Sequence, residues 1–349
     1  MKWLSRTRTT AIGLDVGARS IKLAQASITG QDVRLVASAT IPRPPHDSAD
    51  AAIVPLDLAA ATLISQVIRR RAFHGNLLVL AAPMHALHLE SLELPPGGAA
   101  SPAVQKIAGI ELARITRARP NSFEHAVWDL PALARGGAAT HVMGVSLAHQ
   151  DADALIDPLL DADLDVVAVC PLPNAVNDFA ARFAGPEGDE VVHTVIDIGW
   201  SATRLTIGQG NRLLYYRTLS DVGVRRLHAE IAAAFSGDAP ADVAEHFLQT
   251  VGLTPDRQRA AARPIEAALD AILQELKLTH AYIGHRYQQF ALGGLFLTGG
   301  GAAIPGLADA LGERLGQDVP VLAPQPSATA LPHLTPALAA ALFCTEGWS

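Results

Sequence analysis

AIGLDVGARSIKLAQ, residues 11–25, is the stretch on which the reading of this chain turns. Its first half is an apolar run that stops at Asp15-x-Gly17, and its second half, from Ser20, alternates apolar and polar residues. A continuous apolar run reads as an interior strand and strict alternation as a half-buried one, so Asp15 and Gly17 sit in the turn between two strands. Thr29-Gly30-Gln31-Asp32 is the next turn, and VRLVASATI is a third strand that completes a β-meander. The same order returns later in the chain. HTVIDIG ends in Asp197-x-Gly199, SATRLTIG follows, 208–211 is a turn and RLLYYRTL is the third strand. The two aspartates stand 182 positions apart (197 − 15), and an internal duplication of this kind is weighed before any single motif.

The segments between and after the two copies fill in the architecture. Residues 42–55 form a loop, 56–71 carry Leu58, Leu63 and Val67 at helical spacing, and LLVLAAP is a buried strand. From 86 to 169 the pattern becomes strand (LHLESLEL), helix (102–117), strand (FEHAVWDL), strand (THVMGVSL, after a Gly136-Gly137 turn), helix (151–160) and strand (DVVAV). This β-α-β-β-α-β order reads as a small inserted α+β subdomain. PLPNAVNDFAARFA is a helix, closed by the loop GPEGDE. After the second meander come helices near 222–235, 240–250 and 257–288. LGGLFLTGGGAAIPGL then gives a strand, three glycines and a helix entered near Pro305; a short strand at VPVLAP and an Ala-rich helix finish the chain.

Three glycine turns at strand ends carry the candidate chemistry: Asp15-Val16-Gly17-Ala18-Arg19-Ser20, Asp197-Ile198-Gly199-Trp200-Ser201 and Thr298-Gly299-Gly300-Gly301. Glycine permits a positive φ and close approach of backbone to a ligand, and successive N–H groups in such turns form anion-binding nests. An aspartate beside a phosphate loop suits Mg²⁺, which keeps most of its waters. Lys22 follows the first loop by alternation and is placed to neutralise a phosphate. One Asp-x-Gly at a strand end is ordinarily only a turn. Two in duplicated meanders, with a glycine triplet late in the chain, point to a phosphate ligand.

Composition narrows the alternatives. With 349 residues the chain is long enough for two lobes, and 49% apolar with 17% charged residues describes a globular protein. The net charge of −7 gives no basic footprint for nucleic acid, and Arg69-Arg70-Arg71 is one short run at a helix end. Cys170 and Cys344 lie in apolar stretches without metal spacing and read as buried thiols of a reducing compartment. His85 and His88 are three apart, but the alternating sequence around them (LHLESLEL) reads as a strand and not as a helical ligand pair. Apolar runs stop at eight residues (77–84, 337–344), well short of the roughly 20 that span a bilayer. The first ten residues lack the apolar stretch of a signal peptide.

In this order the motifs resemble the two phosphate motifs and the adenosine motif of the actin, sugar-kinase and heat-shock-chaperone ATPases. A narrower likeness rests on IGLDVGARSIKLAQ, the inserted segment, PLPNAVNDFA, VIDIGWSATRLTI and LTGGGAAIPGLADAL. These resemble the PilM family, cytoplasmic actin-like proteins of type IV pilus assembly, with the division protein FtsA as a more distant relative. The implied fold is α/β: an actin-like, ribonuclease-H-like duplicated two-lobed fold with an inserted α+β subdomain. The first lobe would be 11–85, with 166–190 and 325–349 returning to it. The inserted subdomain would be 86–165, and the second lobe 191–324, with a helical subdomain near 222–288.

The resemblance also implies a site and a role. Asp15, Gly17, Arg19, Ser20 and Lys22 would serve the first phosphate of ATP, and Asp197, Gly199 and Ser201 the second. Gly299, Gly300 and Gly301 would face the adenosine, with Asp15 and Asp197 holding a hydrated Mg²⁺. The partner implied is the N-terminal cytoplasmic tail of an inner-membrane PilN-like protein, bound in a groove by the inserted subdomain, together with other pilus ATPase or platform proteins and self-association. That is a cytoplasmic scaffold, tied to the inner membrane through partners and not inserted into it. The sequence departs from the family at Trp200 in the second loop, Arg19 in the first, and Leu248 where relatives carry a lysine against the adenosine. Those changes imply weak turnover at most. A sugar-kinase reading needs an aspartate as general base between the two loops, and none stands out; Asp163 and Asp165 read as solvated. A filament-forming division protein of the FtsA kind would end in an amphipathic helix, whereas TPALAAALFCTEGWS has no basic face and reads as a core helix.

Overall fold

The structure is a computed structural model that describes residues 7–30, 32–43, 56–133, 139–183, 190–235, 240–253, 259–324 and 331–343. The Gly136-Gly137 turn, Gln31, Cys344, most of the 42–55 loop and most of GPEGDE lie outside the described residues. The backbone divides into two compact units. One holds 1–179, 211–214 and 336–349; the other holds 180–210 and 215–335.

The first unit is built on β1 (Arg8–Thr9), β2 (Ile12–Val16), β3 (Ser20–Thr29), β4 (Asp32–Pro42) and, after α1 (Leu58–Arg70), β5 (Leu77–Ala82). β3 pairs antiparallel with both β2 and β4, β1 continues the β2 side of β3, and β2 pairs parallel with β5. Asp57 caps α1, accepting from the Ala60 N–H at 2.8 Å, and Ile64 and Ile68 turn inward onto Leu14, Leu23 and Leu80.

An inserted layer follows: β6 (Leu87–Leu94), α2 (Pro102–Thr116), β7 (Phe123–Asp129) and β8 (Thr140–Ala148), in the sheet order β6-β8-β7. Val104, Ala108 and Leu112 of α2 pack on Leu92, Leu94 and Val142 of this sheet. Read by pattern alone, the insert closed with a further helix and the DVVAV strand, while the bounds implied by the resemblance ended it at 165 and returned 166–190 to the first lobe. The structure corrects the pattern reading. The helix is α3 (His149–Leu160), and its Leu159, with Ala162 and Leu164, belongs to the core of the larger sheet. DVVAV is β9 (Asp165–Pro171), which pairs parallel with β5. The reason is the character of β5. It is apolar throughout and without β9 would be an exposed hydrophobic edge. Parallel strands need a crossover, and α3 supplies it.

After α4 (Leu172–Ala181), the second unit repeats the plan of the first with β10 (Val191–Ile198), β11 (Thr203–Gln209), β12 (Arg212–Leu219) and β13 (Ala291–Thr298), in the order β12-β11-β10-β13. β10 pairs antiparallel with β11 and parallel with β13, as β2 does with β3 and β5. The two Asp-x-Gly turns therefore mark a duplication of strand order. Between β12 and β13 lie α5 (Val224–Ala234), α6 (Pro240–Thr250) and α7 (Arg259–Arg286), which bury Leu227, Ile231, Phe247, Ile265, Leu269 and Ile272 in one core.

β13 leads through a 3-10 turn at Gly300–Ala303 to α8 (Leu307–Leu315), and the described chain ends in α9 (Thr335–Phe343). The helix read near Pro305 thus begins later than the triplet, with Gly306 as its cap at φ 75°. In α9, residues 337–342 are buried on every side, the mark of a core helix. It sits directly on β2. A Cβ built on Gly13 would lie 1.8 Å from the Ala337 carbonyl oxygen and 2.7 Å from the Ala341 nitrogen. Glycine is needed there for space, because helix backbone occupies the side-chain position. Gly13→Ala should therefore destabilise the protein by about 2–3 kcal/mol as α9 is pushed off its strand, read as an earlier urea midpoint.

Candidate functional site

The first loop is shaped by an acid–base pair. Asp15 and Lys22 are directly opposed in the β2–β3 register, and Lys22 Nζ donates to Asp15 Oδ2 at 2.9 Å. Gly17 makes this possible: a Cβ there would meet Lys22 Nζ at 2.5 Å and the Ser20 carbonyl at 2.9 Å. The Gly17 N–H closes the loop on the Ser20 carbonyl at 3.1 Å. Arg43, which sequence reading passed over, pins the loop from just beyond β4: its guanidinium donates to the Gly17 carbonyl at 3.1 Å, and its N–H to the Arg19 carbonyl at 2.9 Å. The Arg19 side chain is exposed.

The second loop repeats this feature for feature. Asp197 opposes Arg204 in the β10–β11 register, and Arg204 Nη1 donates to Asp197 Oδ2 at 3.3 Å. The Gly199 N–H closes on the Ala202 carbonyl at 3.0 Å, and a Cβ on Gly199 would meet Arg204 Nη1 at 2.9 Å. In both loops the cation follows the aspartate by seven positions. Arg204 was missed in sequence, although it is Lys22 carried forward by the repeat offset. Tyr216 lies beside it; burial pushes the phenol up from its ordinary value, with the Arg204 charge acting against that. Neither loop glycine has a positive φ, so each is there to make room for the cation.

Loop two also carries the start of α5. The Val224 N–H donates to the Gly199 carbonyl at 3.0 Å and the Arg225 N–H to the Trp200 carbonyl at 2.9 Å. Gly223 allows this approach, since a Cβ would lie 2.6 Å from the Ser201 carbonyl carbon. The Trp200 ring packs against His228 of α5, with ring centroids 5.8 Å apart. The bulky residue in this loop is thus held on the α5 side.

The glycine triplet lies against the same loop. Thr298 sits beside Asp197 in the parallel β10–β13 register and donates from its hydroxyl to the Leu322 and Pro332 carbonyls. Gly299 has φ 86°, and a Cβ there would fall 2.2 Å from Asp197 Oδ1. A Cβ on Gly301 would fall 2.2 Å from Ile198 Cγ2. Gly299 and Gly301 are buried, so packing explains them; Gly300 is exposed with open space around it. The second unit thus brings Asp197, Gly199, Ser201 and Gly299–Gly301 together, while Asp15, Gly17, Arg19, Ser20 and Lys22 gather in the first.

The family model described as type IV pilus assembly protein PilM matches residues 152–336, just over half the chain. This chain belongs to the PilM family. No curated protein matches it. Among solved structures it is similar to the PilM-PilN type IV pilus biogenesis complex, with 24% identity and a TM-score of 0.74 over 96% of this chain and 98% of that one. It is also similar to MreB5 of Spiroplasma citri bound to ADP, with 12% identity and a TM-score of 0.51 over 99% of this chain and 98% of that one. The same protein bound to AMPPNP gives 13% identity and a TM-score of 0.52 over 98% and 97%. The actin-like α/β fold of the PilM family is thereby established, and structural relatives with this fold bind adenine nucleotides.

Leu248, read at the place of an adenosine-facing lysine, is 5% exposed and packed in the core with Phe247, so it faces no ligand. Asp15 and Asp197 each already face an internal cation, and among the described residues no three His, Cys, Asp or Glu side chains gather at metal-binding distance. Among the same residues no helix is long and apolar enough to cross a membrane.

The Asp197–Arg204 pair has a stability consequence. The Asp197 side chain is 8% exposed and Arg204 26%, so removing the guanidinium strands a buried carboxylate. Arg204→Met should cost about 2–3 kcal/mol in urea denaturation, and adding Asp197→Asn to it should recover a large part of that loss.

Proposed function

We propose that this protein is the actin-like scaffold of a type IV pilus-like assembly platform, working in the cytoplasm by holding the N-terminal tail of a PilN-like inner-membrane protein. The observation that carries the reading is the pairing of a PilM family match with near end-to-end likeness to a chain of the PilM-PilN type IV pilus biogenesis complex. The separate β6–β8 layer, packed on its own core around Leu92, Leu112 and Val142, is a binding module added to a nucleotide fold, as a scaffold requires. The second half of the proposal is that an adenine nucleotide binds at the duplicated Asp-x-Gly loops. MreB5 carries ADP and AMPPNP on this fold, and this chain keeps both loops with a fixed cation in each.

The scaffold reading is tested by fluorescence anisotropy of a labelled peptide copying the tail of the PilN-like protein of the same assembly system. Binding in the micromolar range, about −8 kcal/mol, is expected. A peptide that fails to bind up to about 1 mM would sink the proposed partner. The nucleotide half has an internal reporter, because Trp200 lies in the second loop. Addition of ADP should change the tryptophan emission, and the change should vanish in Trp200→Phe. An emission unaltered at saturating ADP in the native protein counts against a ligand at that loop.

A further inference from the structure

We propose that the outer ridge of α2 is a contact surface for anionic lipid headgroups, so that the inserted layer rests on the membrane to which the partner's tail tethers it. The tether rests on the scaffold reading proposed above, while the ridge is a property of the inserted layer itself.

One stripe of α2 is buried. Val104, Ala108 and Leu112 point into the core of the inserted layer. At 3.6 residues per turn the side chain opposite that stripe is Ile110. It is 58% exposed, more than any other large apolar side chain among the described residues. One exposed isoleucine alone is ordinary. Its neighbours give it meaning. Lys106 and Arg114, four positions to either side, lie on the same ridge and are exposed. Arg117 is the C-cap, held in the left-handed region at φ 55° and exposed. Glycine is the usual residue there, so an arginine ends the ridge in a cation at a conformational cost. Arg119 follows, also exposed.

The charge on this segment is one-sided. Residues 102–119 hold four cations and one carboxylate, in a chain whose net charge is −7. That carboxylate, Glu111, accepts from Arg114 Nε at 2.8 Å. Among the described residues no ion pair holds Lys106, Arg117 or Arg119. An anionic membrane repels this chain as a whole, so attraction has to come through a basic face. Protein hot spots centre on aromatic anchors seated in pockets, whereas α2 carries no aromatic side chain and its ridge is convex. A layer of headgroups conforms to such a ridge. Lysine and arginine reach the phosphates while the isoleucine enters the boundary with the acyl chains. Each cation near such a surface is worth about fivefold in affinity, so the contact is weak alone. Tethering by the tail makes it intramolecular and raises its effective concentration.

The test is flotation of the full chain with vesicles of phosphatidylcholine and of phosphatidylcholine mixed with phosphatidylglycerol, each bare or carrying the lipid-coupled tail peptide. Phosphatidylglycerol should tighten binding to peptide-bearing vesicles by about tenfold or more, and high salt should remove the gain. Bare vesicles should show the same preference at low salt. The double variant Lys106→Glu, Arg117→Glu should lose the lipid preference yet bind the soluble peptide as the native protein does. Ile110→Ser should weaken vesicle binding by about threefold or more and leave its salt dependence in place. A thermal melt shows whether each variant is folded, and the native arms need no variant. Equal binding of the native protein to both lipid compositions overturns the proposal and leaves the ridge to an acidic protein partner. A lipid preference unaltered in the folded double variant also overturns it. If the soluble peptide does not bind, the scaffold reading falls, and the bare vesicles alone decide the ridge.

Discussion

An aspartate and a cation seven positions apart face each other because two antiparallel strands put them in register, and both loops of this protein depend on that meeting. The register alone would not suffice. A side chain on the residue two after the aspartate would block the approach, so Gly17 and Gly199 stand there. Once the pair is formed, the loop between the strands has little freedom. Its glycine N–H bonds across to the Ser20 or Ala202 carbonyl, and its remaining carbonyls point outward to Arg43 in one copy and to α5 in the other.

The rest of the second unit is arranged around this loop. Helix α5 starts on its carbonyls, which satisfies N–H groups that a helix end leaves open. The glycine triplet passes close above Asp197 and Ile198, and two of its three members are glycine because backbone and side chains of β10 fill the place of a Cβ. In the first unit a similar economy of space acts at Gly13, where α9 lies on β2 with no room for a methyl group. Small residues in this fold thus mark where one backbone rests against another element.

For a scaffold, an internally neutralised site has a clear physical use. A pair that is already matched stays ordered without a ligand, because the buried carboxylate is never left uncompensated. An enzyme of phosphoryl transfer needs more: a metal at the transferring group and a base on the acceptor. Asp15 and Asp197 each face a cation, and Asp163 and Asp165 lie exposed at the turn into β9, with Asp163 paired to Arg69.

Much of the fold was legible in the sequence. The duplicated Asp-x-Gly meanders, the apolar run of β5, the helical spacing of α1 and the all-apolar α9 are local signals, fixed by periodicity and turn chemistry. The family could be named from the order of these motifs alone. Sequence also placed the two Asp-x-Gly turns between their strands, because aspartate and glycine at a strand end leave little choice of local form. It could not decide which sheet takes a strand. DVVAV fits an insert as well as a larger sheet, and only the exposed edge of β5 draws it there. Nor could it tell that Gly299 and Gly301 serve packing, that Leu248 turns inward, or that Arg204 reaches back to Asp197. Each of those depends on which atoms meet across strands and helices distant in sequence, and only the tertiary structure settles it.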